Sequence, residues 1–113
     1  MPVHSYEDLP VAQPAPGTQR RQVYTEHMMM TIIDFVDGPS PAAPPHQHPH
    51  EQITYIAAGK VNFVIGEGEG QSVDLVEAGD AIVIPSNAPH TVEVLTASAR
   101  LIDCFYPLRE DFL

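Results

Sequence analysis

The sequence predicts an all-β domain built as a sandwich or barrel. Short β-prone runs recur at even spacing between turns marked by Gly and Pro, and no stretch keeps a 3.6-residue apolar period beyond two turns. Where a run can be read clearly the alternation has period 2, as in Val61, Phe63 and Ile65. Many short strands at such spacing form a structure that closes its own edges.

Residues 1–19 contain four of the twelve prolines and no apolar periodicity. They are expected as an extended N-terminal arm without helix, lying on the body or on a neighbouring copy, with residues 20–113 as the barrel domain. Gln22–Glu26 and Met28–Val36 are the first two predicted strands. The run Gly38-Pro39-Ser40-Pro41 and the pair Pro44-Pro45 form a stiff loop. Glu51–Ala58 and Lys60–Ile65 flank Gly59 as a tight turn, and Gly66–Gly70 is an exposed hairpin tip. Gln71–Val76, Ala81–Ile84, Thr91–Leu95 and Arg100–Tyr106 complete eight or nine strands, separated at Gly79-Asp80 and Ser86–Pro89.

A chain of 113 residues makes one domain with a core of its own. The single cysteine, Cys104, excludes an intramolecular disulfide and fits a reducing compartment. The first residues lack a basic segment followed by an apolar one, so no signal peptide is expected, and no apolar run is long enough to span a membrane. Cytoplasmic placement is the expectation. The net charge of −10 argues against nucleic acid, whose binding begins with phosphate neutralisation. A small anion is not excluded, because one buried arginine decides that locally.

Four of the six histidines fall in two segments, His46-Gln47-His48-Pro49-His50-Glu51-Gln52 and His90. Histidines at i and i+2 on an extended chain face one way, with Cα atoms roughly 6.5–7 Å apart. Imidazole nitrogens bind divalent metals at about 2.0–2.1 Å, so both rings can reach one ion. Gln52 has the same parity, but a straight strand would carry it about 20 Å from His46. The chain must bend for Gln52 to join them, and Pro49 provides the place. Glu51 points the other way. Met28-Met29-Met30 reads as core filler, since three consecutive strand residues cannot face one point, and Cys104 is expected to be buried and inert.

These residues resemble the two motifs of the cupins, small double-stranded β-helix (jelly-roll) barrels with a metal in the mouth. The first, G-x5-H-x-H-x3-E-x6-G, is matched by His46, His48, Gln52 and Gly59, with Gln for the usual Glu and Ser40 at the leading Gly. The second, G-x5-P-x-G-x2-H-x3-N, is matched by Gly79, Pro85 and His90, with Asn87 at the second Gly and Val94 at the final Asn. Asn is the residue after glycine that best tolerates positive φ. The ending from Asp103 to Leu113 resembles the D-x-F-x-P-x-R-E-D-F ending of the pectin-degradation cupins, which convert 4,5-unsaturated uronates to the linear keto form. The string at residues 45–52 is shared with that group as well.

The resemblance implies one divalent transition metal ion (Zn, Ni, Mn or Fe) on His46, His48, Gln52 and His90. It also implies a substrate side lined by Asp103, Phe105 and Arg109, and an anionic sugar as partner. His50 fills no ligand position of the motif and reads as a structural or rim residue. Asp103 and Arg109 have a bland alternative, a mutual ion pair locking the C-terminus. In the enzyme reading Arg109 grips the substrate carboxylate with its fork and Asp103 moves a proton. The rivals are a metal-dependent dioxygenase, which needs an aromatic pocket that a chain without Trp is poor in, and a non-enzymatic binding cupin. A homodimer is expected, with the proline-rich arm packed on or swapped with the partner.

Overall fold

A computed structural model of the chain describes residues 2–113. It has nine antiparallel strands: β1 (Ala12–Ala15), β2 (Thr18–Tyr24), β3 (Met29–Phe35), β4 (Glu51–Ala58), β5 (Lys60–Ile65), β6 (Ser72–Glu77), β7 (Ala81–Ile84), β8 (His90–Val94) and β9 (Ala99–Tyr106). They form a six-stranded sheet in the order β1-β2-β3-β9-β4-β7 and a three-stranded sheet in the order β6-β5-β8. This is the jelly-roll architecture expected. Among the described residues no helix is long and apolar enough to cross a membrane.

Several boundaries differ from the sequence reading. The arm is not extended throughout. Tyr6–Asp8 makes one 3-10 turn, β1 pairs with β2, and β2 begins at Thr18, inside the segment assigned to the arm. Pro14 lies within β1, an edge strand, the one place in a sheet where a missing N–H is tolerated. The arm packs on its own barrel. The Tyr6 hydroxyl donates to Asp34 Oδ2 at 2.6 Å and accepts from Arg21 at 2.8 Å. Arg100 closes the cluster with a 2.6 Å bond from Nε to Asp34 Oδ1. These charged partners fix a segment that sequence periodicity could not place.

Each inward-facing row changes character along its strand. On β4 it runs Gln52, Thr54, Ile56, all buried. The β9 row is Phe105, Asp103, Leu101, Ala99, and on β8 it is His90, Val92, Val94. Register aligns these ends, pairing Gln52 with Phe105, Thr54 with Asp103 and Ile56 with Leu101. One end of the barrel is therefore closed by an apolar cluster of Ile56, Val61, Phe63, Val76, Ile84, Val94, Ala99 and Leu101. The other end collects the polar groups. Period-2 alternation with one buried face produces this arrangement, since every second side chain enters the interior.

At Gly59 the turn between β4 and β5 requires glycine twice over. Its φ is +84°, and an added Cβ would lie 2.5 Å from the Ser98 carbonyl oxygen. Cys104, on the opposite parity to Asp103 and Phe105, is exposed, which corrects the expectation that it is buried. Its neighbours across the ladder, Met30 and Ile53, are exposed too, so this outer face is not covered by the chain. The methionine triplet divides in the same way. Met29 enters the core while Met28 and Met30 are exposed.

Candidate metal centre and substrate mouth

The loop from Ser40 to His46 runs antiparallel to β8 as an irregular extra strand of the smaller sheet. Ser40 exchanges backbone hydrogen bonds with Val94 at 3.0 and 3.1 Å, and His46 does so with His90 at 3.0 and 2.9 Å. Ser40 and Val94, the departures at the outer ends of the two motifs, are bridge partners. Prolines at 41, 44 and 45 remove the donors that would continue the ladder between these points. After His48 the chain bends at Pro49 and His50 before β4 begins, as Gln52 required. The bend is held from the second motif: the Asn87 amide donates to the His48 carbonyl at 2.8 Å and the Ser86 hydroxyl to the Pro49 carbonyl at 2.6 Å. Asn87 sits at φ +62°, the left-handed geometry that glycine fills in the motif.

These connections gather His46, His48 and His90. One side-chain nitrogen from each lies within 4.8 Å of the others, and the ring centroids are 4.4 Å apart for His46 and His90 and 5.0 Å for His48 and His90. His48 Nδ1 donates to the His50 carbonyl at 3.1 Å and His90 Nδ1 to the Ala88 carbonyl at 2.9 Å. Both imidazoles therefore present the Nε2 lone pair to the centre, the orientation by which metal-binding histidines are usually fixed. His50, expected as a structural or rim residue, acts through its carbonyl. Its own Nδ1 is buried without a partner.

Gln52 is oriented by a chain of bonds. Its Nε2 donates to Thr54 Oγ1 at 2.9 Å, and Thr54 Oγ1 donates to Asp103 Oδ1 at 2.6 Å. The amide oxygen is thus left facing His48 Nε2 at 2.9 Å. With Nδ1 of His48 already donating, two acceptors confront one another across that gap. A shared cation would resolve the confrontation, and the donor set of three neutral imidazoles and one carboxamide oxygen suits a divalent transition metal. The protonation tendencies agree. Shielding from solvent, followed by the positive neighbours His90, His48 and Arg109, pulls His46 down to about 4 even though part of the residue stays exposed. Burial lowers His48 and His90 as well.

Asp103 lies beyond this centre on β9. It accepts from Thr54 and, at 3.4 Å, from Thr31. Burial raises its carboxyl, and the bonds from Thr54, Thr31 and Gln52 and the charge of Arg109 only partly offset that rise. Phe105 is buried and meets His48 edge to face at 5.6 Å. Arg109, also buried, does not form the C-terminal lock with Asp103. Its fork is taken by Asp111, with Nε to Oδ1 at 2.9 Å and Nη2 to Oδ2 at 2.7 Å. A cavity of about 190 Å³ is lined by His46, Gln52, His90, Asp103, Phe105 and Arg109, so these sequence-nominated residues share one space. His48 lies at the edge of the adjoining cleft.

The residues missed in the sequence are those that position or surround the nominated ones. Thr54 has the parity of Gln52 and was open to detection by alternation. Thr31 and Arg20 reach the site only through the register of β2, β3 and β9, which no local signal encodes. Phe112 and Asp111 belong to the terminal motif but carried no assigned role.

A cupin domain model matches residues 35–105, the span holding both histidine segments. The chain is 35% identical to pectin degradation protein KdgF of Dickeya dadantii over 109 residues, covering 95% of this chain and 94% of that protein. It superposes on the structure of KdgF from Halomonas sp. with a TM-score of 0.83 at 29% identity, over 96% of this chain and 97% of the other. An RmlC-like cupin from Shewanella frigidimarina shares the fold, with a TM-score of 0.84 at 24% identity over 97% and 94% of the two chains. The motifs, the barrel and the three-histidine mouth agree with these likenesses, and the chain belongs to the cupin family.

Proposed function

We propose that the chain is a metal-dependent enzyme that converts 4,5-unsaturated uronate monosaccharides to their linear keto form during breakdown of a uronate polymer. The observation that carries this reading is the composition of the mouth, where imidazole and carboxamide donors, a buried carboxyl and a guanidinium line one cavity. The similarity to a pectin degradation protein supports the substrate class.

A divalent ion on His46, His48, Gln52 and His90 would supply Lewis acidity toward the substrate's carboxylate and C5 oxygen. The protein performs the remaining work. Arg109 adds fixed positive charge, and Phe105 gives an apolar wall for the sugar ring. Asp103 takes the proton of the C1 hydroxyl as the bond from C1 to the ring oxygen breaks, and returns it to C4 as the resulting C5 enolate becomes a ketone. The net change is an isomerisation, so no redox partner is needed. A carboxyl raised by burial is suited to both halves of that transfer near neutral pH.

The test is an anaerobic assay on unsaturated uronate, following loss of absorbance of the conjugated double bond. Metal-dependent loss without oxygen is the expected result. A requirement for oxygen, with the uronate inert, would replace this reading by a dioxygenase. No turnover with either would leave a binding cupin.

A further inference from the structure

Arg20 occupies the inner face of β2, paired in register with Ile33, which in turn faces Leu101. Its guanidinium carbon lies 3.8 Å from the centre of the Phe112 ring, and Arg109 meets the same ring at 4.2 Å. The ring is held from behind, because the Gln22 side-chain amide donates to the Phe112 carbonyl at 2.9 Å. Arg20 borders the same cavity as His46, Asp103 and Arg109. The cleft on its other side is lined by Leu9, Pro10 and Val11 of the arm and by no carboxylate.

The two arginines differ in one respect. Arg109 has its fork filled by Asp111. Arg20 has no ion pair among the described residues, and its Nε is buried without a hydrogen-bond partner. Burial and the nearby charge of Arg109 both disfavour its protonated form, with Asp111 compensating only in part. A guanidinium shielded on one side by an aromatic ring and bordering an anion-accepting cavity is prepared for a planar, two-pronged acceptor.

We propose that Arg20 is a specificity-determining residue of the mouth, giving the two-pronged contact to the substrate carboxylate that the terminal motif alone would assign to Arg109. Arg109, tied to Asp111, then acts as fixed positive charge beside it. This assignment rests on the uronate reading above and selects hexuronates over the corresponding neutral hexoses.

Calorimetric titration of the metal-bearing protein with D-galacturonate, a uronate that lacks the reactive double bond, and with neutral D-galactose tests the assignment. Wild type is expected to prefer the acid. Arg20→Gln should weaken galacturonate binding about 10–100-fold, the range for losing hydrogen bonds to a charged group, and should leave galactose unchanged. On unsaturated uronate the same variant should raise KM while kcat stays within a few-fold. Arg20→Lys, the milder change if the glutamine variant folds poorly, should recover only part of the affinity because it keeps charge without the fork. Galacturonate binding equal to wild type in both variants, together with its loss in Arg109→Gln, would return the contact to Arg109 and overturn the proposal. If wild type itself neither prefers the acid nor turns over the unsaturated uronate, the substrate class is at fault and the assignment falls with it.

Discussion

His46 and His90 exchange both backbone hydrogen bonds, at 3.0 and 2.9 Å, while their rings converge to 4.4 Å. Two residues from opposite ends of the motif region are thus direct cross-strand neighbours. Their side chains leave the ladder on one face, so the backbone itself sets the spacing of two of the three imidazoles. Metal affinity and local sheet structure are for this reason expected to depend on each other.

A protein purified without chelator should contain one divalent ion by elemental analysis. His48→Ala should largely abolish retention, and Gln52→Glu should tighten it by adding a negative charge to a neutral donor set. Absence of metal after gentle purification, with none taken up at micromolar concentration, would remove the metal centre.

Thr54 is expected to matter to both halves of the site, because it accepts from Gln52 and donates to Asp103. Thr54→Val removes both bonds at nearly constant volume. Metal affinity should fall about 10–100-fold, the usual scale for removing a group that orients a ligand, and turnover should fall with it. Thr54→Ser should restore most of both. Equal affinity in the valine and serine variants, measured by competition with a chelating dye, would show that the relay does not orient Gln52.

Asp103→Asn should leave the metal and the substrate bound but slow turnover by about 10²–10⁴-fold, as for loss of a general acid–base group. The pH profile supplies a second readout. Burial holds the Asp103 carboxyl above its usual range, so the acidic limb of wild type should lie above the pH at which an ordinary aspartate titrates. Unchanged rates in the asparagine variant would remove Asp103 from the mechanism whatever the substrate.

Acid should detach the arm before it opens the barrel. Burial alone would raise the Asp34 carboxyl, but the bonds from Arg100 and Tyr6 and the charges of Arg100 and Arg21 outweigh it and hold the group below its usual value. Its contribution is therefore complete above the unfolded-state pKa of about 3.9 and is lost as pH falls through the lower folded value. Asp34→Asn should cost about 1–3 kcal/mol near neutral pH, and the gap to wild type should narrow as pH falls below the ordinary aspartate range. Tyr6→Phe should expose the arm to limited proteolysis without changing the melting of the barrel. A gap in denaturation energy that persists at low pH would mean that Asp34 stabilises by packing rather than charge.

The fold class and the ligand segments were legible in the sequence because they rest on local signals. Alternation put Val61, Phe63 and Ile65 on one face, Gly59 marked its turn, and the spacing of His46, His48 and His90 marked the mouth. The bend at Pro49 followed from length alone, since a straight strand could not bring Gln52 to the histidines. Strand starts at Thr18 and His90 were misplaced, by four residues and by one, because pairing partners rather than propensity decide where a ladder stops.

What tertiary structure decided is every relation that depends on register between distant strands. The bridges Ser40 to Val94 and His46 to His90, the Gln52–Thr54–Asp103 chain, and the meeting of Arg20, Phe112 and Arg109 join segments with no local cue to one another. The same holds for Cys104 and for Arg109. Whether a β9 residue is covered depends on what packs outside the sheet, and whether an arginine is free depends on which carboxylate the chain brings to it. A sequence of alternating residues determines which side chains turn inward; only the closed barrel determines which of them meet.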